Sequence, residues 1–239
     1  MHEWLRAFRS AGDGTTTPDM PGIRQLRVLI WPQTQRLTGY YGGHPPGDFR
    51  LSPNPDTRTI RLVERQPTSG NAKIEVRSED FLDVARELHE QGLRVAVLNM
   101  ASAHRAGGGV ESGAGAQEEN HHRRSNAWRA LAAQQLHHYP VPRDACLLSK
   151  EVTIFRGPET AGYPLETPFR VDVITSAAPA HPPLDRRRRY ARRRDEEDMQ
   201  TQVALILEAA HISDCQALVL SAFGCGAYGN PPLGCGQTL

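Results

Sequence analysis

Short apolar segments alternate along this chain with longer segments in which apolar residues recur every three or four positions. The short segments, which are apolar throughout or at every second position, predict strands. They span residues 58–63, 73–77, 94–99, 152–155, 169–175 and 217–222. The longer segments predict helices over residues 23–36, 78–92, 118 to about 139, and 195–210. Strands and helices that alternate in this way are typical of an α/β fold.

Single residues set the expected ends and inner faces of these helices. The first helix is expected to continue despite Pro32, and the second to begin at an N-cap, Ser78, and to end at Gly92. Its inner face would consist of Phe81, Leu82, Ala85 and Leu88. The last helix would turn Val203, Ile206 and Leu207 toward the core.

Composition favours one domain with flexible ends. The chain has 239 residues with 38% hydrophobic content, which is enough for one core, and we expect a flexible segment over 1–22 and a single domain over 23–239. The formal net charge of +1 excludes a global attraction to polyanions, so any charged polymer must be recognised locally.

Cysteine usage and the chain start indicate an intracellular protein, cytoplasmic or nuclear. The four cysteines have no CxxC spacing and no nearby histidine pattern, so reduced thiols are expected and a zinc site is not. The start has no apolar signal-peptide core, and no run reaches membrane-spanning length. We expect no metal, no cofactor and no membrane contact.

A glycine-rich segment directly after the strand at 94–99 carries the strongest chemical signal. Gly107, Gly108 and Gly109 are followed, after seven residues, by Gln117, Glu118 and Glu119. Three glycines can turn backbone N–H groups toward an anion, so we expect a phosphate-sized cradle here. Adjacent acids on a helix point about 100° apart, so only one should face a given bond. Ligand loops in open α/β sheets lie at the carboxyl ends of strands, as this one does.

This pattern resembles the signature of the poly(ADP-ribose) glycohydrolases, and its bacterial-type, single-domain members most of all. A second segment, LSAFGCGAYGNPP at 220–232, resembles the second ligand loop of that family. The resemblance covers the chain from about Gly39 onward. It implies a macrodomain-like three-layer α/β/α fold with a central mixed sheet, and ADP-ribose as the ligand.

The resemblance also implies roles for individual residues. Hydrolysis of a ribose–ribose bond requires a proton on the leaving oxygen and then an activated water, and Glu119 would supply both functions. Glu118 would hold ribose hydroxyls, and Asn99 would bind a hydroxyl of the distal ribose. Substrate contacts are further expected from Gly107, Gly108, Gly109, Val110 and Gln117. The second loop would wrap the diphosphate with its backbone N–H groups, through Gly224, Cys225, Gly226, Ala227, Tyr228 and Gly229, with Tyr228 packed on a ribose or base.

Other polar residues near these motifs have simpler interpretations. His121 and His122 are expected to be exposed beside Arg123 and Arg124, although Arg124, Ser125 and Asn126 could instead support the loop from behind. Cys225 lacks an indicated activating partner, which favours a packing role over a nucleophile.

An arginine run over 186–189 and 192–194 allows three interpretations. It could grip a poly(ADP-ribose) chain or act as a nuclear import signal. Glu196, Glu197 and Asp198 stand four residues after the second group, a spacing that favours ion pairs on a solvated helix.

Three functional hypotheses follow. The first is a glycohydrolase that releases ADP-ribose, from chain ends, from poly(ADP-ribose) or ADP-ribosylated proteins; we expect it to act as a monomer without specific nucleic acid. The second is a non-catalytic ADP-ribose-binding macrodomain, against which both retained glutamates argue. The third is an inactive copy, because family members usually continue after GNPP into a covering helix, whereas only residues 233–239 follow here.

Overall fold

A mixed five-stranded sheet forms the centre of the molecule. The computed structural model describes residues 21–38, 57–61, 73–133 and 139–232. The strands are β1 (Thr57–Arg61), β2 (Val95–Met100), β3 (Ala145–Arg156), β4 (Leu165–Ser176) and β5 (Ala217–Val219), in the spatial order β1-β3-β4-β2-β5. β1, β3 and β4 pair antiparallel, whereas β2 pairs parallel with both β4 and β5.

Helices cover both faces of this sheet. They are α1 (Pro21–Leu37), α2 (Phe81–Glu90), α3 (Gln117–Arg124), α4 (Ala127–Ala133) and α5 (Arg193–Ser213). Alternate residues of β2 enter different cores, because side chains along a strand point to opposite faces. Ala96 and Leu98 pack in the cluster that contains α5, while Val95 and Val97 pack in the cluster that contains α2. The predicted macrodomain-like α/β/α fold is confirmed.

The second helix buries the predicted face but begins elsewhere. Its N-cap is Asp80, not Ser78, because the Asp80 carboxylate accepts hydrogen bonds from the N–H groups of Leu82 and Asp83. The strand predicted over 73–77 is wrong: this segment has no regular structure, and Ile74 and Val76 are 79% and 97% exposed. Alternation alone does not make a strand when no neighbouring strand pairs with it among the described residues.

The long helix predicted after residue 118 is broken by the sheet. Ser125 is extended and pairs with Ile154 of β3. The Asn126 N–H donates to the Thr153 carbonyl at 3.2 Å, and the Thr153 N–H donates to the Asn126 side-chain oxygen at 2.9 Å. This pairing with β3 ends α3 at Arg124 and starts α4 at Ala127.

Other predicted elements differ mainly at their ends. α1 continues through Pro32 as predicted, and it begins at Pro21, inside the segment expected to be flexible. In α5, Val203 and Ile206 are buried as predicted, but Leu207 is 44% exposed and Leu205 is buried in its place. β5 ends at Val219, so residues 220–222 belong to the following loop. No helix in the described ranges is long and apolar enough to cross a membrane.

Residues 1–20, 62, 63 and 233–239 lie outside the described residues. The predictions of a flexible start and of a missing C-terminal helix therefore stay predictions.

Candidate active site

Gln117 fixes the start of α3 to the carboxyl end of β2. Its amide nitrogen donates to the Leu98 carbonyl at 2.6 Å, and its amide oxygen accepts from the Met100 N–H at 2.9 Å. The side chain thus pairs with β2 as a neighbouring strand would. Because both of its polar groups are used inside the protein, Gln117 positions the two glutamates that follow it.

Glu118 is buried, and its carboxyl group is held by backbone N–H groups. Its side chain accepts from Ser102 N–H at 2.7 Å and from Gly107 N–H at 3.1 Å, and the residue is 3% exposed. Burial raises the pKa of Glu118 to about 8; the charge of Glu119 adds to the rise, while hydrogen bonds from Ser102, Gly107 and Asn99 oppose it. Glu118 is therefore mostly protonated at pH 7.

Glu119 has one fixed oxygen and one unpaired oxygen. Its Oε1 accepts from the N–H of Gly109 at 2.8 Å. Its Oε2 has no hydrogen-bond partner among the described residues, and solvent does not replace one because the residue is only 7% exposed. A buried, unpaired carboxylate oxygen is costly, so its presence requires an explanation such as a catalytic role or a bound group that completes the bonding.

The glycine loop binds the protein's own acids. The N–H of Gly107 donates to Glu118, that of Gly109 to Glu119, and that of Gly108 to the Arg105 carbonyl at 3.1 Å. Contact of these groups with an external phosphate stays a prediction. Two carboxyl groups on the next helix already occupy the anion cradle.

Val110, at the end of the glycine loop, packs inside the protein. Its side chain is buried in a cluster with Trp31 of α1 and Trp128 of α4. Hydrophobic packing of this kind anchors the loop at the point where the glycines end. Substrate contact by Val110 stays an untested prediction.

Two side chains of α3 hold the loop and helix from behind. The Arg123 guanidinium donates to the carbonyls of Val110 and Ala114 at 3.1 and 2.7 Å. His122 Nδ1 lies 2.8 Å from the Glu118 carbonyl, to which it must donate because a carbonyl only accepts.

The prediction that His121 and His122 are exposed is wrong, since both are fully buried. Burial lowers the pKa of His122 to about 4, so the ring is neutral at pH 7. Arg124 is buried too and binds Asp80 and Asp83 of α2 at 2.6 and 2.9 Å. These residues point inward because α3 lies between the loop and α2.

Asn99 lies one residue before the end of β2 and contacts Glu118. Its amide nitrogen donates to the Thr175 hydroxyl at 3.3 Å, and its oxygen Oδ1 is buried without a partner among the described residues. The site therefore contains two unpaired buried acceptors, Glu119 Oε2 and Asn99 Oδ1.

The second loop reaches the same site through Tyr228. The Tyr228 hydroxyl donates to the Ala101 carbonyl at 3.4 Å, just beyond the end of β2. Burial raises the pKa of Tyr228, and the charges of Glu118 and Glu119 also raise it, which shows how close the ring lies to both acids. The two loops that are far apart in the sequence thus meet.

The backbone of the second loop is tightly held at one end and open in the middle. A methyl group on Gly224 would lie 2.7 Å from Ala178 Cβ, and Asn230 donates to the Gly224 carbonyl at 3.0 Å. Gly229 N–H donates to the Gly226 carbonyl at 3.0 Å. The N–H groups of Gly226 and Ala227 have no acceptor in the described part of the chain, and both residues are exposed.

The Cys225 thiol donates to the Phe223 carbonyl at 3.6 Å and lines an apolar cavity of about 350 Å³. Leu98, Val203 and Pro232 line the same cavity. These contacts agree with the predicted packing role.

Among the described residues, no three His, Cys, Asp or Glu side chains are grouped to hold a metal ion.

Comparison with known proteins identifies the family. The model of the microbial-type PARG catalytic domain matches residues 38–157. The crystal structure of poly(ADP-ribose) glycohydrolase (PARG) from Thermomonospora curvata is 31% identical, covers 90% of this chain and 85% of its own, and has a TM-score of 0.72. This chain belongs to the microbial-type poly(ADP-ribose) glycohydrolases.

Two further structures of the PARG family carry ligands. The T. curvata PARG bound to the inhibitor ADP-HPD is 32% identical, with the same coverage of 90% and 85% and a TM-score of 0.72. The PARG from Deinococcus radiodurans in complex with ADP-ribose is 31% identical, covers 67% of this chain and 66% of its own, and has a TM-score of 0.58. No curated protein sequence matches significantly. The resemblance inferred from the two motifs is confirmed.

Sequence reasoning missed the residues that support this PARG site. Arg123 supports the loop, and Gln117 fixes α3 to β2, whereas substrate contact by Gln117 stays a prediction. The four-residue spacing of Glu118 and His122 could have indicated one such contact, because residues four apart on a helix lie one above the other.

Proposed function

We propose that this protein is a poly(ADP-ribose) glycohydrolase that hydrolyses ribose–ribose O-glycosidic bonds and releases ADP-ribose from chain ends. The observation that carries the proposal is the state of Glu119: one oxygen is fixed by Gly109 N–H, and the other is buried and unpaired. The family membership and the ADP-ribose complex of the D. radiodurans PARG support the same substrate class.

Glu119 acts first as an acid and then as a base. Its Oε2 donates a proton to the leaving oxygen as that oxygen separates from the anomeric carbon, where positive charge develops. The Glu119 carboxylate then removes a proton from water while the water oxygen bonds to the anomeric carbon. Both steps use the same oxygen, and the second restores the acid.

Glu118 and Asn99 hold the ribose hydroxyls near this carbon. The Asn99 oxygen is unpaired and accepts from a hydroxyl of the distal ribose. A mostly protonated Glu118 reduces the negative charge of the site, which lets a diphosphate approach with less repulsion. The diphosphate itself is bound by the second loop, whose Gly226 and Ala227 N–H groups are exposed, and Tyr228 packs against a ribose.

The decisive test compares Glu119→Gln with wild type. Glutamine keeps an acceptor for the Gly109 N–H but cannot deliver a proton. Release of ADP-ribose from purified poly(ADP-ribose) should fall at least about a thousandfold, within the range that general acid–base groups contribute. Binding of ADP-ribose, measured by calorimetry, should be kept within a few fold. Glu111→Gln is the matched control, because Glu111 is an exposed acid of the same loop.

Three outcomes would contradict the proposal in different ways. Activity retained by Glu119→Gln would remove Glu119 from the chemistry. Binding without release in the wild type would favour a macrodomain that only binds ADP-ribose. If the wild type neither binds nor melts cooperatively, an inactive copy becomes the better description.

Two further features belong to the proposal: an intracellular place of action and a monomeric state. Cys146 and Cys215 form no disulfide in the described part of the chain, as is typical of a reducing compartment. Light scattering on the purified protein tests the monomer, for which the expected mass is 26.5 kDa.

A further inference from the structure

An ordered turn presents arginines beside the second loop. Residues 184–190, here called the arginine hairpin, are closed by a bridge between Leu184 and Tyr190. The Asp185 carboxylate accepts from the N–H groups of Arg187 and Arg189 at 2.8 and 2.9 Å. Arg188 N–H donates to the Asp185 carbonyl at 3.0 Å. These bonds fix the backbone of the turn, from which the exposed arginine side chains project.

Acidic neighbours neutralise only part of the arginine run. Arg189, Arg192 and Arg193 form ion pairs with Asp185, Asp195 and Glu197 respectively. In the described part of the chain, only Arg193 pairs at the predicted four-residue spacing, with Glu197. Arg192 pairs with Asp195 instead of Glu196, and Asp198 pairs with Arg143 instead of Arg194.

Three arginines at the tip of the hairpin are different. Arg186, Arg187 and Arg188 are exposed, and none has a side-chain hydrogen bond or ion pair among the described residues. Arg188 also adopts a positive φ of 57°, an uncommon conformation for arginine. An ordered turn that gathers three unneutralised cations is an electropositive surface on a chain whose net charge is only +1.

Hydrogen bonds join this surface directly to the ligand loop. The Tyr190 hydroxyl donates to Asn230 Oδ1 at 2.9 Å, and Asn230 in turn donates to the Gly224 carbonyl at 3.0 Å. His181 N–H, just before the hairpin, donates to the Tyr228 carbonyl at 2.9 Å. Both ends of the second loop are thus fixed to the segment that carries the arginines.

We propose that Arg186, Arg187 and Arg188 bind diphosphates of poly(ADP-ribose) units that extend beyond the unit held at Glu119. This inference rests on the proposed function. Each unit of the polymer carries a diphosphate with two negative charges, and arginine binds phosphate oxygens with paired N–H donors. Attachment of the hairpin to the ligand loop favours this polymer over nucleic acid, which has no reason to lie beside an ADP-ribose site. The surface makes the protein select long chains.

The test replaces the three arginines by glutamine and compares ligands of two lengths. The control variant combines Lys73→Gln, Arg94→Gln and Arg170→Gln, three exposed cations in weak surface pairs that lower the net charge equally. Dissociation constants are measured with long poly(ADP-ribose) and with a single ADP-ribose unit, which cannot extend beyond the unit held at Glu119, over a range of salt concentrations. The kcat/KM is measured with long poly(ADP-ribose). Circular dichroism and Tm verify that each variant is folded.

The arginine variant should bind long polymer about tenfold more weakly than wild type. Its affinity for a single ADP-ribose unit, and the affinity of the control variant for long polymer, should change less than twofold. The slope of log Kd against log salt for long polymer should fall by about 2, since each lost phosphate contact on a single strand contributes about 0.7. Equal losses for both lengths, no loss, or an equal loss in the control would each overturn the inference. Single-stranded RNA that competes as well as poly(ADP-ribose) would also overturn it, in favour of a general polyanion surface. Because binding is measured apart from turnover, a wild type that releases no ADP-ribose would refute the proposed function and leave the binding result decisive.

Discussion

Gly108 lies directly against the Glu119 carboxyl group. A methyl group on Gly108 would come within 2.5 Å of Glu119 Oε1 and within 2.8 Å of Glu118 Oε2. This close approach lets the N–H groups on either side, those of Gly107 and Gly109, reach one glutamate each. A glycine is therefore required at this position by the two acids.

Replacing Gly108 by alanine should displace both carboxyl groups. The methyl group collides with their oxygens, and the positive φ of 52° adds backbone strain. We expect the kcat for ADP-ribose release to fall about a hundredfold, as displacements of about 1 Å can cause. Gly92→Ala is the matched control, because Gly92 has a positive φ of 84° but open space around it. If both variants lose activity equally, backbone strain and not the collision is responsible.

Gln117→Ala should weaken both the fold and catalysis. It leaves the Leu98 carbonyl and the Met100 N–H without their partner, and an unsatisfied buried group costs about 1–3 kcal/mol. Urea denaturation should show a loss in that range, and kcat should fall more than the affinity for ADP-ribose. Gln91→Ala, at an exposed glutamine bonded to Glu87, should change stability by less than about 0.5 kcal/mol. Unchanged stability of Gln117→Ala would show that the clamp is dispensable.

Glu118→Gln should change how stability depends on pH. The folded-state pKa of Glu118 is raised from 4.5 to about 8, so between these values the unfolded chain releases the proton and the folded protein keeps it. Glu118 thus makes the wild type less stable as pH rises through this window, by at most about 1.4 kcal/mol per pH unit. Denaturation at pH 5, 6.5 and 8 should find the variant gaining on wild type as pH rises. Parallel pH curves for the two proteins would contradict the raised pKa.

His122→Asn should act in the opposite pH direction. Its folded-state pKa is lowered from 6.5 to about 4, so the wild type loses stability as pH falls through this window, where the unfolded chain takes up the proton. Asparagine retains a donor for the Glu118 carbonyl and does not titrate. The Tm of the variant should therefore fall less than that of wild type between pH 7 and pH 4.5. An equal fall in both would show that burial of His122 does not limit acid stability.

Local patterns determined the fold class and the place of the site. The alternation of apolar segments predicted an α/β fold, and the family resemblance implied the mixed three-layer arrangement. The buried faces of α2 and of Val203 and Ile206 in α5 followed from helical spacing. The glycines, the seven-residue gap and the acids identified the family, because a motif and its spacing are written in consecutive residues. None of this required knowledge of distant contacts.

The tertiary structure alone decided which atoms those residues use. The glycine N–H groups bind Glu118 and Glu119, and the α3 histidines are buried, because α3 lies against the loop and beneath other helices. The helix breaks at Ser125 because this residue pairs with Ile154. The 73–77 segment is exposed and irregular because no strand among the described residues pairs with it. Periodicity predicts that a group is buried or bonded, but its partner comes from a segment far along the chain, and only packing brings the two together.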